Sequence, residues 1–391
     1  MNKPADLCSL AGSAIAARKT ELLRLSHLLH DNPETSMQEH RAVEWLSSEL
    51  EASGFSVQTG IAGLPTAFRA IHGSSGPVIA FIAEYDALPD LGHACGHNLI
   101  AAAAVAAAIG ARTAADVLGG TIQVIGTPAE ELQGGKIGMV SEGAFDGIDA
   151  AMMLHPAAHD SATVKTLACI SLDAEFFGRE SHAAGHPELG INALEAMILA
   201  FNAVDSLRQH ITTDARIHGI ITDGGRAANI VPGHSAARFL VRAAECGYID
   251  TLQDRVVVCF QGAALATGAR LEYRWNFDQY YKPMRSNETL ARLYMGNMDK
   301  LGHEVPFFNE AQSFGSTDMG NVSQCVPAIH ASVAIAPPGI SEHTPEFARF
   351  AGEKNSFEAV MLSATALART AVDLLADPNK MDRVRKDFAR G

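Results

Sequence analysis

Two histidines bracket a cysteine in the stretch HACGHN, which places His93, Cys95 and His97 within five residues. Thiolate and imidazole together suit zinc or a similar borderline metal ion. The same stretch would also accommodate a nucleophilic cysteine beside a histidine base, or a small core residue. Further along, TPAEE sets Glu130 beside Glu131. One carboxylate of such a pair can hold a dication while its neighbour stays free to take a proton from water. Asp86 follows the apolar run PVIAFIAEY, and His155 follows AAMML. The bland reading of each residue alone is a solvated or satisfied side chain.

The elements that position these residues decide between the readings. PVIAFIAEY, GTIQVIG and AAMML are continuous apolar runs, the pattern of strands buried on both faces. RKTELLRLSHLL, EHRAVEWLSSELEASG and NLIAAAAVAAAIGARTAA have helical spacing. Alternating buried strands and helices predict an α/β layer, a mostly parallel doubly wound sheet. In such sheets ligands bind beyond the carboxyl ends of the strands. There three strands deliver Asp86, the pair Glu130 and Glu131, and His155 to one edge, next to the Cys95–His97 loop. That convergence predicts a metal site.

The middle of the chain changes pattern. Strand, helix, two strands, helix and strand follow one another from LACISLDAEFFG to RLEYRWNFDQYY. The order β-α-β-β-α-β is that of a ferredoxin-like α+β domain. The expected division is a discontinuous catalytic domain, 1–167 and 283–391, with a domain of 168–282 inserted into it. A chain of 391 residues is long enough for two cores.

Composition narrows the partners. A formal net charge of −14 argues against nucleic acid, whose phosphates it would repel. The six cysteines (Cys8, Cys95, Cys169, Cys246, Cys259 and Cys325) show no framework spacing, which reads as reduced thiols and a cytoplasmic protein. The Ala-rich run Leu99 to Ile109 is too short for a membrane span, so no membrane association is expected. Lys3 followed by LCSLAGSAIAA only faintly resembles a signal peptide, because its Ser and Gly are poor for an apolar segment.

The ordered set LLHDNPETSMQEH, AEYDALP, HACGHN, TPAEE, GGK, GAFDG, MMLHP, GRESHAAGHPELGINALEA and NIVPG covers nearly the whole chain. It resembles the co-catalytic metallopeptidases of the aminoacylase and carboxypeptidase G type, the M-twenty peptidases. Within them it is most similar to the branch of aminobenzoyl-glutamate hydrolase, auxin-conjugate hydrolases and β-alanyl-lysine type dipeptidases. The resemblance implies a hydrolase of amide bonds in N-acyl amino acids or dipeptides. It would use two divalent metal ions, zinc first, with manganese, cobalt or nickel as alternatives, and a metal-activated water.

Carried over by motif, the metal ligands would be Cys95, His97, Glu131, His155 and His343, the last from SEHTPEF. Glu130 would be the general base, and Asp86 would orient a ligand. His182 from SHAA would lie in an inserted dimerisation and lid domain and reach the partner subunit's site to stabilise the oxyanion. Asn229 from NIVP would make a similar contact, which implies a homodimer. Ser316, Thr317 and Asp318 fall where the family lines its substrate pocket.

Two departures stand out. Better-known branches have His-x-Asp where this chain has Glu84-Tyr85-Asp86; the missing histidine argues against a carboxylate-type first ligand there and fits Cys95 doing part of that work. Asn98 follows CGH where the amidohydrolase branch often has Asp, a change toward the dipeptidase-like branch. Two other functions remain open on sequence: a catalytically inactive binding protein on this scaffold, and a metal-free hydrolase with Cys95 as nucleophile. His27, His40, His210, His218 and His303 read as surface histidines. His30, Pro33 and Glu34 read as helix termination and packing, and the tail KMDRVRKDFARG as a solvated helix end.

Overall fold

The computed structural model describes residues 4–310 and 315–390; Lys3 and Gly391 lie outside them. The chain divides into two compact units, residues 1–165 with 284–391, and residues 166–283.

The first unit begins with helices α1 (Pro4–Ala17), α2 (Lys19–Asp31) and α3 (His40–Ala52). It continues through β1 (Ser56–Thr59), β2 (Phe68–His72), β3 (Val78–Glu84), α4 (His97–Leu118), β4 (Thr121–Thr127), α5 (Gly135–Ser141) and β5 (Ala150–Ala157). Its six-stranded sheet has the order β1-β2-β4-β3-β5 and then a later strand, β10 (Ala328–Ala334). From β4 through β10 all pairings are parallel, while β1 and β2 add antiparallel strands at one edge. The short, largely exposed β1 has no apolar run by which the sequence would reveal it.

Both faces of this sheet are covered, as continuous apolar strands require. Alternate residues of β3 enter opposite cores. Ile79, Phe81 and Ala83 join the core containing Leu7 of α1 and the alanines of α4. Ala80 and Ile82 join Met139 of α5 and Met319 and Val322. α4 is Ala-rich because it is enclosed: a Cβ on Gly110 would lie 2.9 Å from both Ile15 and Ala368. Ala368 belongs to α11 (Lys354–Ala376).

α4 and α11 are long and apolar enough to cross a bilayer, a correction to the span of residues 99–109 read from the Ala-rich run alone. Their most apolar windows are 78% and 72% buried within the fold, as suits core helices. The tail forms α12 (Pro378–Arg390), which buries Met381 and Val384 and pairs Arg385 with Asp149 at 2.7 Å. It is docked rather than merely solvated.

The second unit contains β6 (Ala168–Phe177), α6 (Ala193–Leu207), β7 (Arg216–Asp223), β8 (His234–Ala243), α7 (Cys246–Thr267) and β9 (Arg270–Trp275). Its sheet order β7-β8-β6-β9 is antiparallel throughout, which is the ferredoxin-like arrangement. α6 and α7 bury Met197, Val204, Leu252, Val256 and Phe260 in its core. The chain then returns to the first unit through α8 (Glu288–Asp299), α9 (Met319–Ser323), β10, α10 (Pro345–Ala351), α11 and α12.

Candidate metal centre and catalytic site

The strand ends of the first unit converge with the loop that opens α4. Cys95 and His97 flank Gly96, which has a left-handed φ of 75° and caps the N-terminus of α4. A Cβ there would come within 2.8 Å of Pro156, the residue after His155. Only glycine lets the Cys95–His97 turn approach β5 this closely. His155 itself lies within β5, which runs on to Ala157 because it pairs with β10.

Asp86 fixes the orientation of His97. Nδ1–H of His97 donates to the Asp86 carbonyl (2.8 Å) and faces its Oδ1 (3.1 Å). The other oxygen of Asp86 accepts from the backbone N–H of Glu131 (3.1 Å) and from Ser36 (3.2 Å). Burial pushes the Asp86 carboxyl up, but these bonds outweigh it and leave it below the ordinary carboxylate range. With Nδ1 engaged, Nε2 of His97 is the atom left over. It is buried and has no hydrogen-bond partner.

Two groups of donor atoms surround that nitrogen. Glu84, His97 and His155 bring one donor atom each within 4.8 Å of one another, and so do Cys95, His97 and Glu131. His97 Nε2 lies 3.6 Å from Glu84 Oε2 and 3.8 Å from Glu131 Oε1. Those separations exceed a hydrogen bond. They match two donors each about 2.0–2.3 Å from a shared tetrahedral ion. Glu84 Oε2 is likewise buried without a partner. His343 Nε2 lies 3.4 Å from Glu131 Oε2, and its own backbone has a φ of 63°. The residues therefore fit divalent ions. Nε2 of His97, once its proton is displaced, can serve only one ion, so two ions would divide the other donors between them.

The structure gathers Cys95, His97, Glu131, His155, His343 and Asp86 in this way. His93 takes no part: its Nε2 faces the carbonyl of Leu29 at 3.1 Å, and burial pushes its pKa down to about 3. Asn98 ties α4 to its neighbours by donating to Ser26 Oγ (3.1 Å) and to the carbonyl of Ala351 (3.0 Å).

Glu130 lies beside these donors, with its carboxylate within 4.8 Å of those of Glu84 and Asp318. Burial, and then Glu84, Asp318 and Glu131, push its carboxyl well above the ordinary range. The residue before it, Ala129, has a left-handed φ of 61°. That backbone is held from both sides. Ala129 N–H donates to buried Glu39 (3.0 Å), and its carbonyl accepts from Gln133, Gly134 and Gly135. A non-glycine residue in this region costs energy and persists only where its surroundings impose it.

Burial raises the Cys95 thiol well above its ordinary pKa. The free side chain is therefore a protonated thiol, whereas nucleophilic cysteines have lowered values. A dication could still displace the proton.

Asp318 is fully buried and both its oxygens are held by Lys136, Oδ1 by the ammonium (2.8 Å) and Oδ2 by the backbone N–H (2.9 Å). Thr317 is also buried, and Ser316 is half-buried. His182 and Asn229 belong to the second unit. There Ala183 N–H donates to the Asn229 carbonyl (3.0 Å), and His182 Nδ1 accepts from Gly185 (3.0 Å). Sequence reasoning gave no role to Glu39 or Lys136. The one signal available was a lysine at the end of the Gly-Gly-Lys motif, without a visible partner.

A family model described as peptidase family M20/M25/M40 matches residues 80–369. The chain is 39% identical over 383 residues to a Xaa-Arg dipeptidase of Mus musculus, covering 93% of this chain and 88% of that one. It is 36% identical over 327 residues to one of the p-aminobenzoyl-glutamate hydrolase chains of Escherichia coli, covering 77% of this chain and 68% of that one. A solved dinuclear metal-binding M20-family peptidase of Bacillus subtilis superposes with a TM-score of 0.70 at 21% identity, over 92% of this chain and 99% of that one.

Proposed function

The chain belongs to peptidase family M20/M25/M40, and on that footing we propose that it is a two-ion amidohydrolase cleaving dipeptides or N-acyl amino acids. The observation that carries this reading is the pair of donor groups around His97, with two buried, unpartnered atoms 3.6 Å apart. The relatives named above act, by their names, on an acyl group joined to an amino acid.

Cys95, His97, Glu131, His155 and His343 would hold the ions. Zinc suits the thiolate and imidazole donors best; manganese, cobalt and nickel are alternatives. Such ions, when bound, acidify water and polarise a carbonyl. Glu130 removes a proton from the attacking water as its oxygen adds to the amide carbon. It then delivers that proton to the amine nitrogen as the C–N bond breaks. The left-handed turn at Ala129, anchored by Glu39, fixes where Glu130 stands, and Asp86, by holding Nδ1–H of His97, turns Nε2 toward the donor groups.

The second unit would serve as dimerisation and lid domain, with His182 and Asn229 acting on the partner subunit's substrate. Its edge strand β7 exposes Ile220 and Ile221, a surface that a second copy can cover. Mixed dimers of His182→Ala and Glu130→Gln subunits should regain activity at one site. Heterodimers as inactive as both parents would exclude the shared site.

The reading as a whole is tested by a substrate panel. Ion-loaded protein is assayed for amine release from Xaa-Arg dipeptides, β-alanyl dipeptides, N-acetyl amino acids and aminobenzoyl-glutamate. Turnover of at least one class is expected; none across the panel would sink the proposal.

A further inference from the structure

Lys136, the second residue of α5, is fully buried between Glu84 at the end of β3 and Asp318 just before α9. Its ammonium lies 2.5 Å from Glu84 Oε1 and 2.8 Å from Asp318 Oδ1. Its backbone N–H takes the second oxygen of Asp318, so that carboxylate is fully committed to Lys136. Glu84 is not. One of its oxygens is held by the lysine, and the other is buried with no partner.

That remaining oxygen faces His97 Nε2, also unpartnered, at 3.6 Å. Nδ1–H of His97 donates to Asp86, which leaves Nε2 as the ring atom that faces Glu84. At 3.6 Å the two atoms are too far apart to hydrogen-bond, so neither satisfies the other. A cation placed between them satisfies both. His155 offers a third donor atom within 4.8 Å of these two.

We propose that Lys136 is a positioning residue of the metal centre: anchored by Asp318, it occupies one oxygen of Glu84 and presents the other as an additional metal donor beside His97 and His155. The lysine also has an electrostatic task. Glu84, Glu130 and Asp318 bring three carboxylates within 4.8 Å of one another, and the ammonium sets a positive charge against two of them, Glu84 and Asp318. A neutral residue at position 136 would free Glu84 to turn away from the imidazoles. Glu84 thus fills, with a carboxylate, the position where the family's better-known branches have a histidine.

The assignment rests on the metallohydrolase reading, and its test separates the two. Bound ions per chain and their affinities are measured by elemental analysis and chelator competition, and Co(II)-loaded protein is followed by its visible absorption. Wild type is expected to hold two ions. Glu84→Gln should keep one and bind the other at least about tenfold more weakly, the scale on which a metal's supporting groups act. Its Co(II) spectrum should change, and Lys136→Met should change it in the same direction although Glu84 is still present.

Wild type that binds no ion defeats the hydrolase reading itself. Wild type with two ions, together with a folded Glu84→Gln of unchanged affinities and unchanged spectrum, overturns the role of Glu84. If Glu84→Gln does not fold, the Glu84→Gln/Lys136→Met protein, which carries neither charge, takes its place under the same criteria. If that also fails, a crystal structure of ion-loaded wild type decides. Glu84 Oε2 at about 2.0–2.3 Å from an ion supports the assignment, and an oxygen still turned away from every ion overturns it.

Discussion

Replacing Glu130 by Gln should cost activity and gain stability, and the structure sets the scale of both. The carboxylates of Glu84 and Asp318 lie within 4.8 Å of that of Glu130, and Lys136 supplies one compensating positive charge. At an effective dielectric constant near 20, one like-charge pair at that distance repels by about 3.5 kcal/mol. Lys136 cancels roughly one of the two, and solvent on the partly exposed side weakens the rest. Glu130→Gln should therefore stabilise the ion-free protein by about 1–2 kcal/mol. The sign with pH follows from the raised carboxyl. The folded state holds that proton more tightly than the unfolded chain, so wild type loses this stability as pH rises from about 4.3 toward the folded value. The advantage of the variant should be absent near pH 4 and reach its plateau above the folded value.

Urea unfolding in chelator reads this directly. Trp45 lies in the first unit, so its emission in a Trp275→Phe background reports the unit that contains Glu130. Ion-loaded Glu130→Gln should turn over at least about a hundredfold more slowly while keeping its ions. A variant less stable than wild type at pH 7.5, or one with near-normal turnover, would refute the reasoning.

Other residues give independent tests. Gly96→Ala forces a left-handed alanine against Pro156; ion affinity should fall at least about tenfold, and stability by about 1–2 kcal/mol from the backbone alone, with unchanged metal content as the contrary result. Cys95, a buried protonated thiol, should alkylate slowly at pH 7 in chelator and faster toward pH 10, yet stay protected at both pH values with ions bound; equal rates with and without ions at pH 10 would remove it from the ligand set. His93 and His330 are held neutral by burial, each with a pKa of about 3. Because the unfolded chain takes up those protons below about 6.5, the ion-free protein should lose roughly 1.3 kcal/mol per histidine between pH 7.5 and 5.5. His330→Phe, which preserves the stack on His155, should remove about half of that acid slope; an unaltered slope would contradict it.

What could be read from sequence follows physical lines. β3, β4 and β5 announce themselves because strands buried on both faces are apolar throughout. Their carboxyl ends then point to Asp86, Glu130, Glu131 and His155 without any knowledge of the packing. β1 and β2 lack that signature, since they form the antiparallel edge and β1 is largely exposed. The Glu84–Lys136–Asp318 cluster was out of reach for another reason. Lys136 and Asp318 are 182 positions apart, and no local pattern links a lysine after two glycines to an aspartate in a Gly-rich turn. Glu39 was hidden likewise, because its meaning depends on a left-handed alanine 90 positions away. α4 misled in the opposite direction: alanines let other helices approach closely, so a core helix with the length of a membrane span read as a short apolar run.

The central claim is that amide hydrolysis depends on ions held around His97. The direct measurement strips the protein with a chelator, returns zinc or manganese stepwise, and follows turnover of the best panel substrate against ions bound per chain. Turnover should be near zero in the stripped protein and rise to a plateau at two ions per chain. Full turnover by protein that carries no ion would contradict the account.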